Sequence, residues 1–128
     1  MKIGKNFQSW GFIDGEREDI ITIGDNVVLG RGSDIITHCP VSFYNGKDST
    51  IVIGNNVYIG ARCIILPGAK IGNNVVIGAG SVVAGSIPGN VVAAGNPCCV
   101  IRKIDDKEAD RIERMTIQKI VGNGRLPA

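Results

Sequence analysis

The sequence predicts an all-β fold: a parallel β-helix of hexapeptide repeats, followed by one short C-terminal helix. Three observations predict it. Aliphatic residues recur six apart through Ile53, Ile59, Ile65, Ile71, Ile77 and Val83. The segments IGNNVYIG (53–60) and IGNNVVIG (71–78) are nearly identical and lie 18 residues apart. Glycine supplies 18 of 128 residues and aromatic residues only 5%, so the core has to be assembled from small, regular aliphatic units.

The spacing dictates the geometry. Six is not a helical period, but it suits short strands joined by tight corners. Position one of each hexapeptide is aliphatic: Ile23, Leu29, Ile35, Ile53, Ile59, Ile65, Ile71, Ile77 and Val83. Position five is smaller: Val27, Ser33, Cys39, Val57, Cys63, Ala69, Val75 and Ser81, with Ile87 closing the series. Both positions point inward in this reading. Glycine at position two permits corner conformations that a Cβ resists. The 18-residue identity makes three hexapeptides one coil, and stacked coils pair through parallel hydrogen bonds.

Two breaks of phase stand out. Ile3 to Ile23 is 20 residues, one coil plus two; Ile23 to Ile53 is 30, one coil plus twelve. The larger surplus falls at 41–52, where Asn45-Gly46 signals a turn, and predicts a loop projecting from a coil corner. Residues 1–104 form the repeat domain in this reading, and 105–128 a helix and tail. The helix, over 104–121, has Asp105 or Asp106 as cap and Ile104, Ile112, Met115 and Ile120 as an apolar stripe. It is expected to cover an open end of the solenoid, whose bare strands would invite aggregation. The final GNGRLPA is expected to fray.

Composition excludes several classes. A net charge of +2 provides no field for nucleic acid or a membrane surface. No 18-residue apolar run exists, and Met1 leads directly into patterned sequence, so neither a transmembrane helix nor a signal peptide is expected. Four cysteines without metal-type spacing point to a reducing, cytoplasmic setting.

The hexapeptides, the loop and the ending IPGNVVAAGNPCCVIRKI (87–104) resemble the hexapeptide-repeat acyltransferases. The resemblance is nearest to the galactoside, maltose and nodulation type of sugar O-acetyltransferases, together with short acetyltransferases of polysaccharide clusters. It implies a left-handed β-helix, a homotrimer, acetyl-CoA as donor, no metal and a histidine general base. Handedness rests on the resemblance alone.

One histidine exists, His38, in DIITHCPV. It holds position four of its hexapeptide, which points outward, and lies just before the loop. The family histidine stands in a T-G-H-P-V context, one residue out of step with T-H-C-P-V here. An acceptor hydroxyl must lose a proton as it attacks a thioester carbonyl, and a free imidazole, titrating near ~6.5, suits that task. A Cys39–His38 nucleophilic dyad is disfavoured, because adjacent strand residues face opposite sides. Cys39 and Cys63 read as core fillers; Cys98-Cys99 has no zinc partners and is too close for an ordinary disulfide.

By the same resemblance, Gly78, Ala79 and Gly80 line the pantetheine arm of the donor, and Ala94, Gly95 and Pro97 form the turn at its adenine end. Arg102, followed by Lys103, stands near its phosphates. The chain departs from the family at Ala84-Gly85, where Thr-Lys is frequent, and at Cys99, where a base is usual. On the acceptor side, Trp10 takes the place of a sugar-contacting Asn, Glu18 lies near an acidic contact, and Tyr58 matches an aromatic beside the reacting centre. These imply acetyl transfer to a sugar or glycan-precursor hydroxyl, with transfer to an amino-sugar nitrogen as the alternative. A non-enzymatic β-helix scaffold is a different class of reading; the histidine at the loop base and the CoA-type ending weigh against it. The related γ-type carbonic anhydrases need three histidines per zinc, which a chain with one histidine does not supply.

Overall fold

The computed structural model describes residues 1–15, 17–38 and 48–121, with backbone only for Glu18 and 115–121. The repeat folds as a three-sided parallel solenoid. Sheet A holds β1 (Lys2–Ile3), β4 (Ile21–Ile23), β7 (Ile51–Ile53), β10 (Lys70–Ile71) and β13 (Ser86–Ile87). Sheet B holds β2 (Phe7–Ser9), β5 (Val27–Leu29), β8 (Val57–Ile59), β11 (Val75–Ile77), β14 (Val91–Gly95) and, antiparallel at its edge, β15 (Cys98–Lys103). Sheet C holds β3 (Phe12–Ile13), β6 (Asp34–Ile35), β9 (Ile64–Ile65) and β12 (Val82–Val83). That makes four full coils and two sides of a fifth. Helix α1 (Asp106–Val121) follows β15.

Registry is residue on residue. Ile3, Ile23, Ile53, Ile71 and Ile87 form one column in sheet A; Ile13, Ile35, Ile65 and Val83 form one in sheet C. All position-one residues from Ile23 to Val83 are buried, and so are the described position-five residues. Each fully buried Val, Leu or Ile is worth about 1.5–3 kcal/mol, so the columns carry the stability of a chain with little other interior. Cys39 lies outside the described residues. Ile3 shares the inward column yet is 44% exposed, because no coil lies beneath it.

The register revises four details of the sequence reading. The two-residue surplus of the first coil is a net figure. Ser9 to Ile13 is two residues shorter than Leu29 to Ile35, and Ile13 to Ile23 is four longer than Ile65 to Ile71. Ile87 pairs with Ile71, so it is a position-one residue after a corner shortened by two, not a position-five residue. The predicted loop ends by 50 rather than 52, because Ile51 and Val52 are ladder residues of β7, paired with Ile21 and Thr22.

The fourth revision concerns the helix. Asp105 caps it: its Oδ1 accepts the Glu108 N–H at 2.8 Å and its carbonyl the Ala109 N–H at 3.0 Å. Beyond this cap α1 does not close an end of the solenoid; it folds back against β8, in the middle of sheet B. Val28, on the outer face of β5, is buried, and so are Ile104 and Ile112. The edge of β14 is covered by β15 instead. The reason is the outer row of sheet B: Val28, Tyr58, Val76 and Val92 give an apolar stripe that an amphipathic helix covers. The side chains of Met115 and Ile120 lie outside the described set. No helix among the described residues is long and apolar enough to cross a membrane.

Candidate active site

His38 is placed by the corner between sheets C and A. Ile36, just past β6, still donates its N–H to the Ile65 carbonyl at 2.9 Å. Thr37 is buried. Its N–H and its Oγ1 both donate to Asp14 Oδ2, at 3.2 and 3.0 Å, and its Oγ1 accepts the Arg17 N–H at 3.1 Å. His38 is the next residue, exposed to solvent. The returning leg is pinned from the coil above. The Ser49 carbonyl accepts the Gly68 N–H at 3.0 Å, and Lys70 Nζ donates to both the carbonyl and Oγ1 of Thr50, lying 3.4 Å from Asp48 Oδ2. Thr50 also donates its Oγ1–H and N–H to Asp48 Oδ1, at 2.5 and 3.0 Å. These donors, the Thr50 hydroxyl foremost, hold the Asp48 carboxyl below the ordinary carboxylate range. Residues 41–47 of the predicted loop lie outside the described set.

A second constellation forms at the corner between sheets B and C. Gly78 donates its N–H to the Ala93 carbonyl at 2.9 Å, and a Cβ on Gly78 would lie 2.9 Å from the Ala94 Cβ. Glycine is thus required at 78 by close packing. Gly80 differs: its φ is +77°, and its missing side chain opens onto empty space. Ser81 Oγ donates to the Gly78 carbonyl at 2.6 Å and accepts the Gly95 N–H at 3.0 Å, tying the corner to the β14–β15 hairpin. Beside the hairpin lies a cleft of 370 Å³ lined by Leu66, Val82, Ala84, Asn96 and Pro97, on the outer side of sheet C. The cleft is mostly apolar and lies beside small-residue backbone.

The predicted donor set therefore splits. Gly78, Ala79, Gly80, Ala94 and Pro97 gather at this corner. Arg102 and Lys103 sit opposite Val92 and Val91, at the far end of β15. Arg102 lies four residue steps along the strand from Cys98, about 13 Å. Arg102 is also engaged, its Nη1 and Nη2 donating to Glu108 Oε1 and Oε2 at 2.9 and 2.8 Å. That pairing raises the guanidinium pKa and lowers that of the Glu108 carboxyl. Lys103 is exposed.

The predicted acceptor residues also separate. Glu18 begins a short 3-10 turn on the C-to-A corner, the corner of His38. Trp10, half-buried, stands on the B-to-C corner at the bottom of the column that runs through Gly30, Gly60 and Gly78. Tyr58 lies on the outer row of sheet B, on the strand that α1 packs against. Within one chain these three occupy different sides. Cys63 is buried, its Sγ 3.2 Å from the Gly78 carbonyl; burial pushes the neighbouring Cys98 thiol up.

Sequence reasoning missed Asp14, Arg17 and Thr37 as the clamp before His38; the surplus in the first coil was the signal that marked them. It also missed Arg31 and Arg62, exposed on the B-to-C corner. Arg62 holds φ +55° where Gly32 and Gly80 stand in the neighbouring coils. Nothing in the repeat pattern flags either arginine.

Residues 50–85 match the family described as bacterial transferase hexapeptide (six repeats). Galactoside O-acetyltransferase of Escherichia coli K12 is 45% identical over 112 residues, covering 83% of this chain and 55% of that protein. A maltose O-acetyltransferase structure from Clostridium difficile 630 is 42% identical, with a TM-score of 0.66 over 81% of this chain and 59% of its own. A galactoside acetyltransferase solved in complex with coenzyme A is 38% identical, with a TM-score of 0.62 over 83% of this chain and 61% of its own. The chain thus spans little more than half the length of the relatives it matches.

Proposed function

This chain belongs to the hexapeptide-repeat family, and from that premise we propose that it is an acetyl-CoA-dependent O-acetyltransferase acting on a hydroxyl of a sugar or glycan precursor. His38 is the general base. The observation that carries the reading is the placement of the sole histidine. It stands exposed between two pinned legs, and Ile36, two residues before it, hydrogen-bonds to the coil whose Leu66 lines the cleft. The sugar acceptor and the coenzyme A donor are carried over from the galactoside and maltose relatives.

The transfer is direct. Imidazole takes the hydroxyl proton as the acceptor oxygen attacks the acetyl carbonyl; the bond to sulfur breaks, and the thiolate leaves and is protonated. Gly80 and the hairpin residues Ala94 and Pro97 flank the donor arm, with Gly78 and Ala79 shaping the corner. Phosphate contact at the end of β15 requires Arg102 to exchange Glu108 for the ligand, whereas Lys103 needs no exchange. The protein acts as a homotrimer. Half-exposed apolar residues on the outer row of sheet C, Ile64 and Val82, with Phe12 at 65% exposure, support an interface between copies. Free thiols at Cys63, Cys98 and Cys99 suit the cytoplasm.

The test is release of free thiol from acetyl-CoA across a panel of sugar acceptors. Acceptor-dependent release is expected, and His38→Ala should lower kcat by about 10²–10⁴ while acetyl-CoA affinity is kept. A folded His38→Ala variant with near-wild-type kcat would place the base elsewhere, and a panel without any acceptor would reject a sugar hydroxyl.

A further inference from the structure

We infer that Asp14 is a positioning residue: acting through the buried Thr37, it fixes the backbone that presents His38. The role in catalysis rests on the proposed function above; the structural link does not. Three observations converge. Asp14 Oδ2 accepts both the N–H and the hydroxyl of Thr37, at 3.2 and 3.0 Å, so one carboxylate oxygen locks the backbone and side chain of the residue before His38. The Thr37 hydroxyl is used twice, accepting the Arg17 N–H at 3.1 Å while donating to Asp14. Thr37 is 5% exposed, although position three of a hexapeptide is an outward corner position.

Asp14 and Arg17, which hydrogen-bond Thr37, lie on the connection from Ile13 to Ile21, the longer of the two departures from the repeat in the first coil. This detour of the first coil lies beneath the corner of the second and hydrogen-bonds to the Thr37 side chain there. Elsewhere the corners of the first coil bond upward through backbone groups and the Asn6–Asn26 and Lys5–Asp25 pairs common to the repeat. Among the described residues, the side-chain contacts that depart from the repeat thus fall on the residue preceding the histidine. A base held this way begins the reaction oriented, and small misplacements of a reacting group cost about tenfold to a hundredfold in rate.

The experiment uses Thr37→Val, which keeps the volume and removes the hydroxyl, alongside Thr37→Ser and Asp14→Leu. Because the chain has one histidine, its imidazole NMR signals report its environment without assignment ambiguity. Thr37→Val and Asp14→Leu should each shift and broaden those signals and lower kcat about tenfold or more, with KM for acetyl-CoA unchanged. Combining them should cost no more than either alone, because they remove one unit. Thr37→Ser should restore both readouts. Unmoved imidazole signals in folded Thr37→Val would overturn the inference. So would equal losses of stability and kcat that Thr37→Ser fails to rescue. If the signals move while His38→Ala keeps its turnover, the positioning stands and the base assignment fails.

Discussion

From sheet A to sheet B the chain takes three residues every time: Gly4-Lys5-Asn6, Gly24-Asp25-Asn26, Gly54-Asn55-Asn56, Gly72-Asn73-Asn74 and Pro88-Gly89-Asn90. From sheet C to sheet A it takes seven, fifteen, four and then two. The first corner ends each time in an asparagine with φ between +56° and +61°, a conformation that asparagine tolerates better than most residues. Each Nδ2 donates to the Oδ1 of the next coil's asparagine, from Asn6 through Asn26, Asn56 and Asn74 to Asn90, at 2.9–3.1 Å. A corner whose side chains are partners in two directions cannot change length without breaking bonds on both sides. Among the described residues the other corner shows no shared ladder, its length varies, and the candidate base lies on it. Regularity marks the scaffold; its local failure marks the site.

The largest expected effect breaks this comparison outright if it is absent. Two residues inserted between Asn55 and Asn56 should lower stability by several kcal/mol, about the range of the severest single-site lesions. The same two residues placed between Gly85 and Ser86 restore the four-residue length found at Leu66–Ala69 and should cost less than about 1 kcal/mol. Urea midpoints at fixed protein concentration decide it; equal costs would show that the two corners do not differ in kind.

A smaller effect sharpens it. Asn56→Ala removes both ladder bonds and puts alanine at positive φ, for a loss of about 1–3 kcal/mol with kcat unchanged. Asn56→Gly should recover the backbone part alone, so thermal midpoints in the order wild type, Gly, Ala separate geometry from bonding.

The smallest effect belongs to the C-terminal helix, where an exposed charge pair, Arg102 with Glu108, adds to the burial of Ile104 and Ile112. Glu108 is held below its ordinary 4.5 by Arg102, so the pair favours the folded form above that value and its contribution is lost as pH falls through the lower folded value. Helical ellipticity should therefore fall slightly more steeply below pH 4.5 in wild type than in Glu108→Gln, with the solenoid signal unaffected.

Much of the scaffold was legible because its signals are periodic. Ile53, Ile59 and Ile65 announce inward positions by spacing alone, and the Asp105-Asp106 pair announces a helix cap, which the structure places at Asp105. Legibility stopped where only a net length was visible. The interval from Ile3 to Ile23 conceals a loss at one corner and a gain at the next, which opposite signs hide from any count. The landing of α1 on sheet B depends on Val28, Tyr58 and Val76 being adjacent across coils, a row visible only once the register is known. The candidate site was half legible for the same reason. His38 was found as the only residue of its kind, whereas the pairing of Arg102 with Glu108 and the clamp by Asp14 needed coordinates.

The asparagine ladder makes the molecule indifferent to its own length. Every coil offers the next the same amide face that it received, with the same donor direction, so an 18-residue unit such as 53–70 reads as a tile in a tessellation. Duplicating or excising such a tile leaves each remaining asparagine with a partner of the same chemistry. Gene-level slippage by whole coils is therefore conformationally silent along this edge. Adding or removing one such unit would change the distance between the first-coil detour and the terminal hairpin by one solenoid turn.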